Sequence, residues 1–189
     1  AEISTIKLQM DDNFIKKVEH RLQELNVLVI TKQSDNIPKR IRDVFELCET
    51  NGLFLKGSLK ALETTTCAIV GSRTADAYGR RVTTEFSRDI AKAGATIVSG
   101  LAAGVDSIAH NEAINNNALT IAVLGGGFNK IYPEFNTNLA NKIIEKGGLL
   151  ISEYPPHMQT QSYHFPVRNR IIAALSDAVL ITAFKIKSG

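Results

Sequence analysis

Only two cysteines, Cys48 and Cys67, occur in the 189 residues, and neither stands in a spacing that would gather a metal or a disulfide framework. They read as single buried or half-buried thiols of a reducing cytosol. No apolar run reaches the roughly 18 residues of a membrane span, and there is no signal-peptide pattern. A soluble, cytoplasmic protein without membrane contact is therefore expected. Charge of one sign is lacking too. Lys and Arg number 22 against 19 Asp and Glu, a net charge of +3, so any basic site must be local. No G-x-G-x-x-G follows the first core strand and no Walker A lysine is present, which removes the common dinucleotide and nucleoside-triphosphate signatures. His20, His157 and His164 have no ligand-like spacing with Asp or Cys, so neither a metal site nor a cofactor is expected. Repeats and low-complexity tracts are absent. The chain begins at Ala1 rather than Met and ends at Ser188-Gly189 without a stop signal, and so reads as a fragment at both ends.

What is present is an alternation of short apolar strands and amphipathic helices. Asp11-Asp12-Asn13 precedes Phe14, Ile15, Val18, Leu22 and Leu25, a spacing that fits a short amphipathic helix with acidic capping. Val27–Ile30 and Leu53–Gly57 read as strands, with a helix start at Asp35-Asn36-Ile37-Pro38 between them. From residue 66 onward, strands at 66–71, 95–99, 119–124, 149–153 and 178–184 alternate with helices near 78–93, 104–116, 136–146 and 167–175. In the first of these helices Phe86, Ile90 and Ala93 are expected to form the buried face. Strands of nearly unbroken apolar character predict a largely parallel sheet covered on both faces. The fold class expected is α/β, a Rossmann-like three-layer domain over 61–189, preceded by a small α/β extension over 1–60 that has no core of its own.

Three strands run into glycines. Ala68-Ile69-Val70 meets Gly71-Ser72-Arg73, Thr96–Ser99 meets Gly100-Leu101-Ala102-Ala103-Gly104, and Thr120–Leu124 meets Gly125-Gly126-Gly127. Backbone N–H groups at such turns carry partial positive charge and can face an anion. Ligands of parallel sheets bind beyond the carboxyl ends of the strands, so the three loops predict one crevice for something phosphorylated. Arg73 adds a guanidinium suited to bidentate phosphate contact. Gly125–Gly127 reads as a flexible phosphate loop, followed by Lys130 and by Tyr132, which is either a stacking platform or a buried tyrosine. Asp106 and His110 are one helical turn apart. They form either a structural pair that locks the loop or a catalytic pair served by Ser99 or Ser152. Arg168 and Arg170 flank Asn169 and do not share a helical face, so one is expected to reach the ligand and the other to serve structure. Glu153, at the same rim, is placed to hold an arginine.

Taken together, Val70-Gly71-Ser72-Arg73, the run Ser99–His110, Tyr132-Pro133, Ile151–Tyr154 and Phe165-Pro166-Val167-Arg168-Asn169-Arg170-Ile171-Ile172 closely resemble the DprA/Smf family of DNA-processing proteins. Order and spacing agree over 66–189, and a looser match reaches back to about residue 27. Ile37-Pro38 stands where the family has Tyr-Pro in its linker. Glu134 stands where some members carry a basic residue, with Lys130 nearby as a substitute.

The resemblance implies a protein without catalytic turnover that binds single-stranded DNA, protects incoming strands and loads the RecA recombinase onto them during natural transformation. It implies a phosphate pocket at Gly71, Ser72, Arg73, Gly100 and the 125–127 loop. The wider expected DNA site adds Gly104, Asp106, Lys130, Tyr132, Arg168, Asn169 and Arg170. In the family the domain continues past the last Ser-Gly with a strand and a helix that contribute to dimerisation and to the RecA surface, so a homodimer is expected of the full-length protein. The alternative is a Rossmann-like domain that binds or hydrolyses a free nucleotide, similar to the lysine-decarboxylase-like phosphoribohydrolases. Their Pro-Gly-Gly-x-Gly-Thr stretch is absent, because Gly127 continues as Phe128-Asn129.

Overall fold

The computed structural model describes residues 12–184; Asp11 of the expected acidic cap and the cations Lys185 and Lys187 lie outside the described residues. Helix α1 spans Asp12–Glu24, followed by β1 (Leu28–Thr31), α2 (Lys39–Cys48) and β2 (Gly52–Gly57). A single 3-10 turn leads to β3 (Thr66–Gly71), α3 (Ala77–Lys92), β4 (Thr96–Ser99), α4 (Val105–Asn115) and β5 (Thr120–Leu124). Then come α5 (Thr137–Glu145), β6 (Leu149–Ser152), α6 (His164–Ala174) and β7 (Ala178–Ala183).

The seven strands of the described residues form one sheet in the order β1-β2-β6-β5-β4-β3-β7. The five strands from β6 to β7 are parallel, whereas β2 pairs antiparallel with β6 and with β1. Apolar residues on alternate faces of each strand fill two layers. Leu53, Leu55, Val98, Ile121, Val123 and Ile151 pack with α2 and α6 on one side. On the other side Ala122, Leu124 and Leu150 pack with α5, and Ile69 and Ile97 with α3 and α4. Full burial of an isoleucine or leucine contributes about 1.5–3 kcal/mol, and both faces of the central strands are filled in this way. The sheet runs across residue 60: β1 and β2 extend it, and Ile41, Val44 and Phe45 of α2 share a core with Ile171 and Ile172 of α6. Among the described residues the buried apolar side chains of β1, α2 and β2 belong to one cluster with those of the later strands. Among the described residues no helix is long and apolar enough to cross a membrane.

One expected face is corrected. Helix α3 buries Gly79, Thr83, Ser87 and Ala91, with Ile90 half-buried, and leaves Phe86 and Ala93 outside. The physical cause is close approach of the helix to β7. A Cβ on Gly79 would stand 2.8 Å from the Ala183 Cβ, and the Thr83 and Thr182 hydroxyls meet at 2.6 Å. A small, polar face fits that gap where Phe86 would not. Helix α6 also starts earlier than its sequence suggested, with Pro166 inside the first turn. Proline is tolerated there because the first N–H groups of a helix have no intrahelical acceptor.

The order of the parallel strands reverses at β3. The chain steps outward through β4, β5 and β6 with α3, α4 and α5 on one face, then returns over the other face through α6 to place β7 beside β3. That reversal opens a crevice beyond the carboxyl end of β3. The opposite end is clamped by Arg40, which donates to the carbonyls of Leu62 and Thr64 and to the Asp177 carboxylate at 2.6 Å. Among the described residues β7 and β1 are the outer strands of the sheet, and Val179, Ile181 and Phe184 are exposed at the β7 side.

Candidate nucleic-acid interface

The crevice at the β3 end has a volume of about 310 Å³ and is walled by Gly71, Arg73, Ala102, Phe165 and Asn169, with Arg168 and Asp106 at its base. Gly71 is a glycine for lack of room, since a Cβ would sit 2.5 Å from the Ala183 carbonyl oxygen and 2.8 Å from Val105 Cγ2. The next N–H, of Ser72, donates to Ala183 at 2.7 Å, and the Ser72 hydroxyl accepts from the Thr74 N–H at 3.1 Å. Ser72 therefore builds the turn and carries Arg73 outward. The Arg73 guanidinium carbon lies 4.6 Å from the Phe165 ring centroid, a cation–π contact at the crevice mouth. The Tyr132 ring, 55% exposed as a residue, stands 5.6 Å from Phe165. Tyr132 is thus at the surface and forms part of an aromatic rim. Lys130 is exposed beside it, and Asn169 is exposed on the crevice wall.

Beneath the mouth is a rigid polar layer. Asp106 accepts from the N–H groups of Gly100 and Ala102 at 3.1 and 3.3 Å, which folds the 100–104 loop back over the start of α4. Ser107 donates to the Ala102 carbonyl, and Asn136 donates to the Leu101 carbonyl and the Ser107 hydroxyl. These bonds hold Leu101 at a φ of 58°, a left-handed conformation unusual for a leucine. Gly104 (φ 76°) packs directly on the backbone of Ser72 and Arg73, where no Cβ would fit. Arg168 is only 4% exposed. It donates to the carbonyls of Gly100 and Val123 and to the Asn169 side chain, and it sits 3.9 Å from Asp106. Gly100 is glycine because the Arg168 guanidinium occupies the space of its missing Cβ. Burial pushes the Asp106 carboxyl above its usual range, with Arg168 and the loop N–H groups pulling it back.

Neither arginine of the 168–170 motif reaches freely for a ligand. Arg168 is buried, and Arg170 is held by Glu153 through contacts of 2.7 and 2.8 Å, with one further nitrogen buried and unpartnered. Each guanidinium is engaged by acceptors within the fold. The 125–127 loop also differs from its expectation. Gly125, Gly126 and Gly127 are buried under the 155–160 segment, the Gly127 N–H donates to the Met158 carbonyl, and His164 bonds the Gly125 carbonyl. Their missing side chains make room for Phe165, Thr160 and the Pro155-Pro156 backbone. The loop is therefore fastened and covered, with the Gly127 N–H and the Gly125 and Gly126 carbonyls bonded within the fold.

The catalytic alternative for Asp106 and His110 loses its geometry. Thr120 donates its hydroxyl proton to the Ile97 carbonyl at 2.8 Å, so the His110 Nδ1 at 2.7 Å must donate to Thr120. Complete burial lowers the His110 pKa to about 3, with Arg168 adding to the effect. The ring stays neutral and faces β5 rather than a nucleophile. Ser99 gives its proton to the Ile69 carbonyl and Ser152 to the Gly126 carbonyl, both fully buried.

Phe165 is the functional candidate that sequence reasoning passed over. It was visible only as the aromatic of a Phe-Pro pair, because its partners Arg73 and Tyr132 lie far away in the chain.

Fold and site together define a Rossmann-like protein with an arginine–aromatic crevice at the strand-order reversal. Residues 28–189 match the family model for DNA recombination-mediator protein A, and the chain belongs to that family. It is 44% identical over 137 residues to Protein Smf of Escherichia coli, covering 72% of this chain and 37% of that one. It is 38% identical to the DNA processing protein DprA of Bacillus subtilis, covering 90% and 56%. The X-ray structure of Streptococcus pneumoniae DprA superposes with a TM-score of 0.79 at 34% identity, over 96% of this chain and 61% of that one. A Helicobacter pylori DNA processing protein A, solved for its unique single-stranded DNA binding mode, superposes with a TM-score of 0.72 at 35% identity, over 85% and 71%. The chain spans about half the length of the curated relatives it matches.

Proposed function

We propose that this chain binds single-stranded DNA at the β3-end crevice, and that the whole protein uses this binding to load RecA during natural transformation. The observation that carries the reading is the Arg73–Phe165–Tyr132 array. A guanidinium with no carboxylate partner among the described residues lies over the Phe165 ring, which itself neighbours Tyr132, at the open mouth of a crevice. Cations that track a backbone, interleaved with faces on which bases stack, are the recurring chemistry of single-strand binding. A duplex keeps its bases paired and stacked, out of reach of such a rim. Family membership and the subject of the Helicobacter pylori structure support the same reading.

The protein acts in the cytoplasm and without catalytic turnover; Ser99, Ser152 and His110 are committed to structural bonds, which supports a binding role. Of the expected contacts, Arg73, Lys130, Tyr132 and Asn169 touch DNA directly, with Phe165 added. Gly71, Ser72, Gly100, Gly104, Asp106, Arg168, Arg170 and the 125–127 glycines hold the crevice in shape. Residues 61–189 form the binding domain and residues 1–60 brace it. Homodimerisation and the RecA contact belong to the full-length protein.

The test is fluorescence anisotropy with a labelled single strand at two salt concentrations. Arg73→Ala is expected to weaken binding by about 1–3 kcal/mol, and Phe165→Ala by about 1–3 kcal/mol. Unchanged affinity in both variants would remove the reading. Displacement of the strand by a mononucleotide at equal nucleotide concentration would favour the free-nucleotide alternative.

A further inference from the structure

A second cleft, of about 280 Å³, lies on the far side of the 128–134 loop. Its floor is apolar, made by Ile131, Ile144 and Leu150, and its walls carry Lys56, Lys130 and Asn141. The sheet explains why a lysine stands there. Lys56 on β2 pairs in register with Leu150 on β6, so both side chains project to the face that α5 covers. Helix α5 seals Leu150 and leaves Lys56 half-buried at its margin. Among the described residues neither Lys56 nor Lys130 has a carboxylate within ion-pair distance. Glu134 lines the same cleft and is its one acid.

The two clefts share no lining residue, but a chain of neighbouring side chains links them. Lys130 lines the second cleft and also a small hollow that it forms with Tyr132, Gln159 and Thr160. Tyr132 in turn faces Phe165, and Phe165 lies under Arg73. From the crevice mouth across the 128–134 loop and down beside β6 toward Lys56, the side chains on this path carry a guanidinium, two aromatic rings and two ammonium groups, the last two beside apolar lining. That alternation of cation and flat apolar face matches the alternation of phosphate and base along a single strand.

We propose that the Lys56–Lys130 cleft is a second seat for the same single-stranded DNA, which leaves the crevice across Tyr132. A backbone phosphate binds between the two lysines, and the neighbouring base lies on the Ile131–Ile144 floor with its edge toward Asn141. The proposal rests on the reading of the first crevice as a single-strand site, and it makes the interface longer than the glycine loops alone indicate. It also gives Glu134 a role: its carboxylate weakens the second seat.

The experiment compares a short oligothymidylate of about 5 nucleotides with one of about 20, a range spanning typical single-strand site sizes, by anisotropy titration of the 189-residue chain over a salt series. Lys56→Ala is expected to leave the short strand's affinity unchanged. For the long strand it should weaken binding about fivefold, as for one solvent-facing ion pair. It should also lower the slope of log K against log salt by about 0.7, one phosphate on a single strand. Glu134→Gln should tighten the long strand alone. Unchanged long-strand affinity and slope in Lys56→Ala would overturn the second seat, and so would equal weakening of both lengths, which would indicate only a general field. Failure of the crevice reading itself looks different: Arg73→Ala would then leave even the short strand unaffected.

Discussion

Replacing Arg168 with methionine keeps an unbranched apolar stem, shorter than that of arginine, and removes the buried charge beneath the crevice. In the native protein that guanidinium donates to the carbonyls of Gly100 and Val123 and lies 3.9 Å from the Asp106 carboxylate, in a site where both residues are almost fully buried. The substitution strands two acceptors and leaves one carboxylate without its countercharge. Breaking a buried pair from one side typically costs about 3–5 kcal/mol, and the loss of each neutral carbonyl's partner is contained in that figure. For a chain of this size about 1 kcal/mol moves Tm by roughly 2–4 °C, so the variant should melt roughly 10 °C lower. The deficit should also depend on pH. Burial already raises the Asp106 pKa, and Arg168 is the largest influence opposing it. Without Arg168 the folded-state value rises further above the unfolded one, so folding of the variant takes up a proton. Stability linked to that proton is present at low pH and lost as pH rises through the folded-state value. The gap between wild type and Arg168→Met should therefore be wider at pH 8 than at pH 5. Adding Asp106→Asn should recover part of the loss, since the orphaned charge is gone. Urea unfolding at the two pH values reads all three quantities. A loss below about 1 kcal/mol, constant across pH, would refute the buried-pair reasoning.

Two other perturbations bear on different parts of the fold. Gly71→Ala should destabilise by about 1–3 kcal/mol through overpacking, because its Cβ would meet the Ala183 carbonyl and Val105; thermal melting checks it. Asp177 is held well below its ordinary pKa by the Arg40 hydrogen bonds and the Thr66 N–H. A depressed carboxylate adds stability above its unfolded value, and that stability fades as pH falls through the folded one. Asp177→Asn should thus flatten the fall in Tm below about pH 4, and an acid profile identical to wild type would contradict the clamp. The side chain is partly exposed, so the effect should be modest.

The strand and helix sequence from residue 66 onward was legible because local signals agree: apolar runs, amphipathic periodicity and glycine stops each mark the same boundaries. The place of the crevice followed from where strands meet glycines. What the glycines do there did not. Gly100 makes way for Arg168, Gly71 for Ala183 and Val105, and Gly126 and Gly127 for the strap at 155–160. Each reason is a contact between distant segments, and a run of glycines looks the same whether it frames an anion or a neighbouring backbone. The same limit applies to the two arginines of α6. Their positions two apart showed that they point differently, yet only the fold supplies the Gly100 carbonyl for one and Glu153 for the other. On α3 the periodicity of Phe86 and Ile90 was misleading because close packing against β7 selects small residues over large ones. Phe165 gained its meaning from Arg73 and Tyr132, which no local window contains.

The most direct test of the single-strand site is a map of backbone amide shifts on titrating the isotopically labelled chain with a short oligothymidylate. Binding at the β3-end crevice predicts shifts concentrated at 71–74, 100–106, 130–132 and 162–169, saturating together and fading as salt is raised. Shifts centred instead on the opposite end of the sheet, around Arg40 and Asp177, would contradict the account, as would a spectrum left unchanged by DNA.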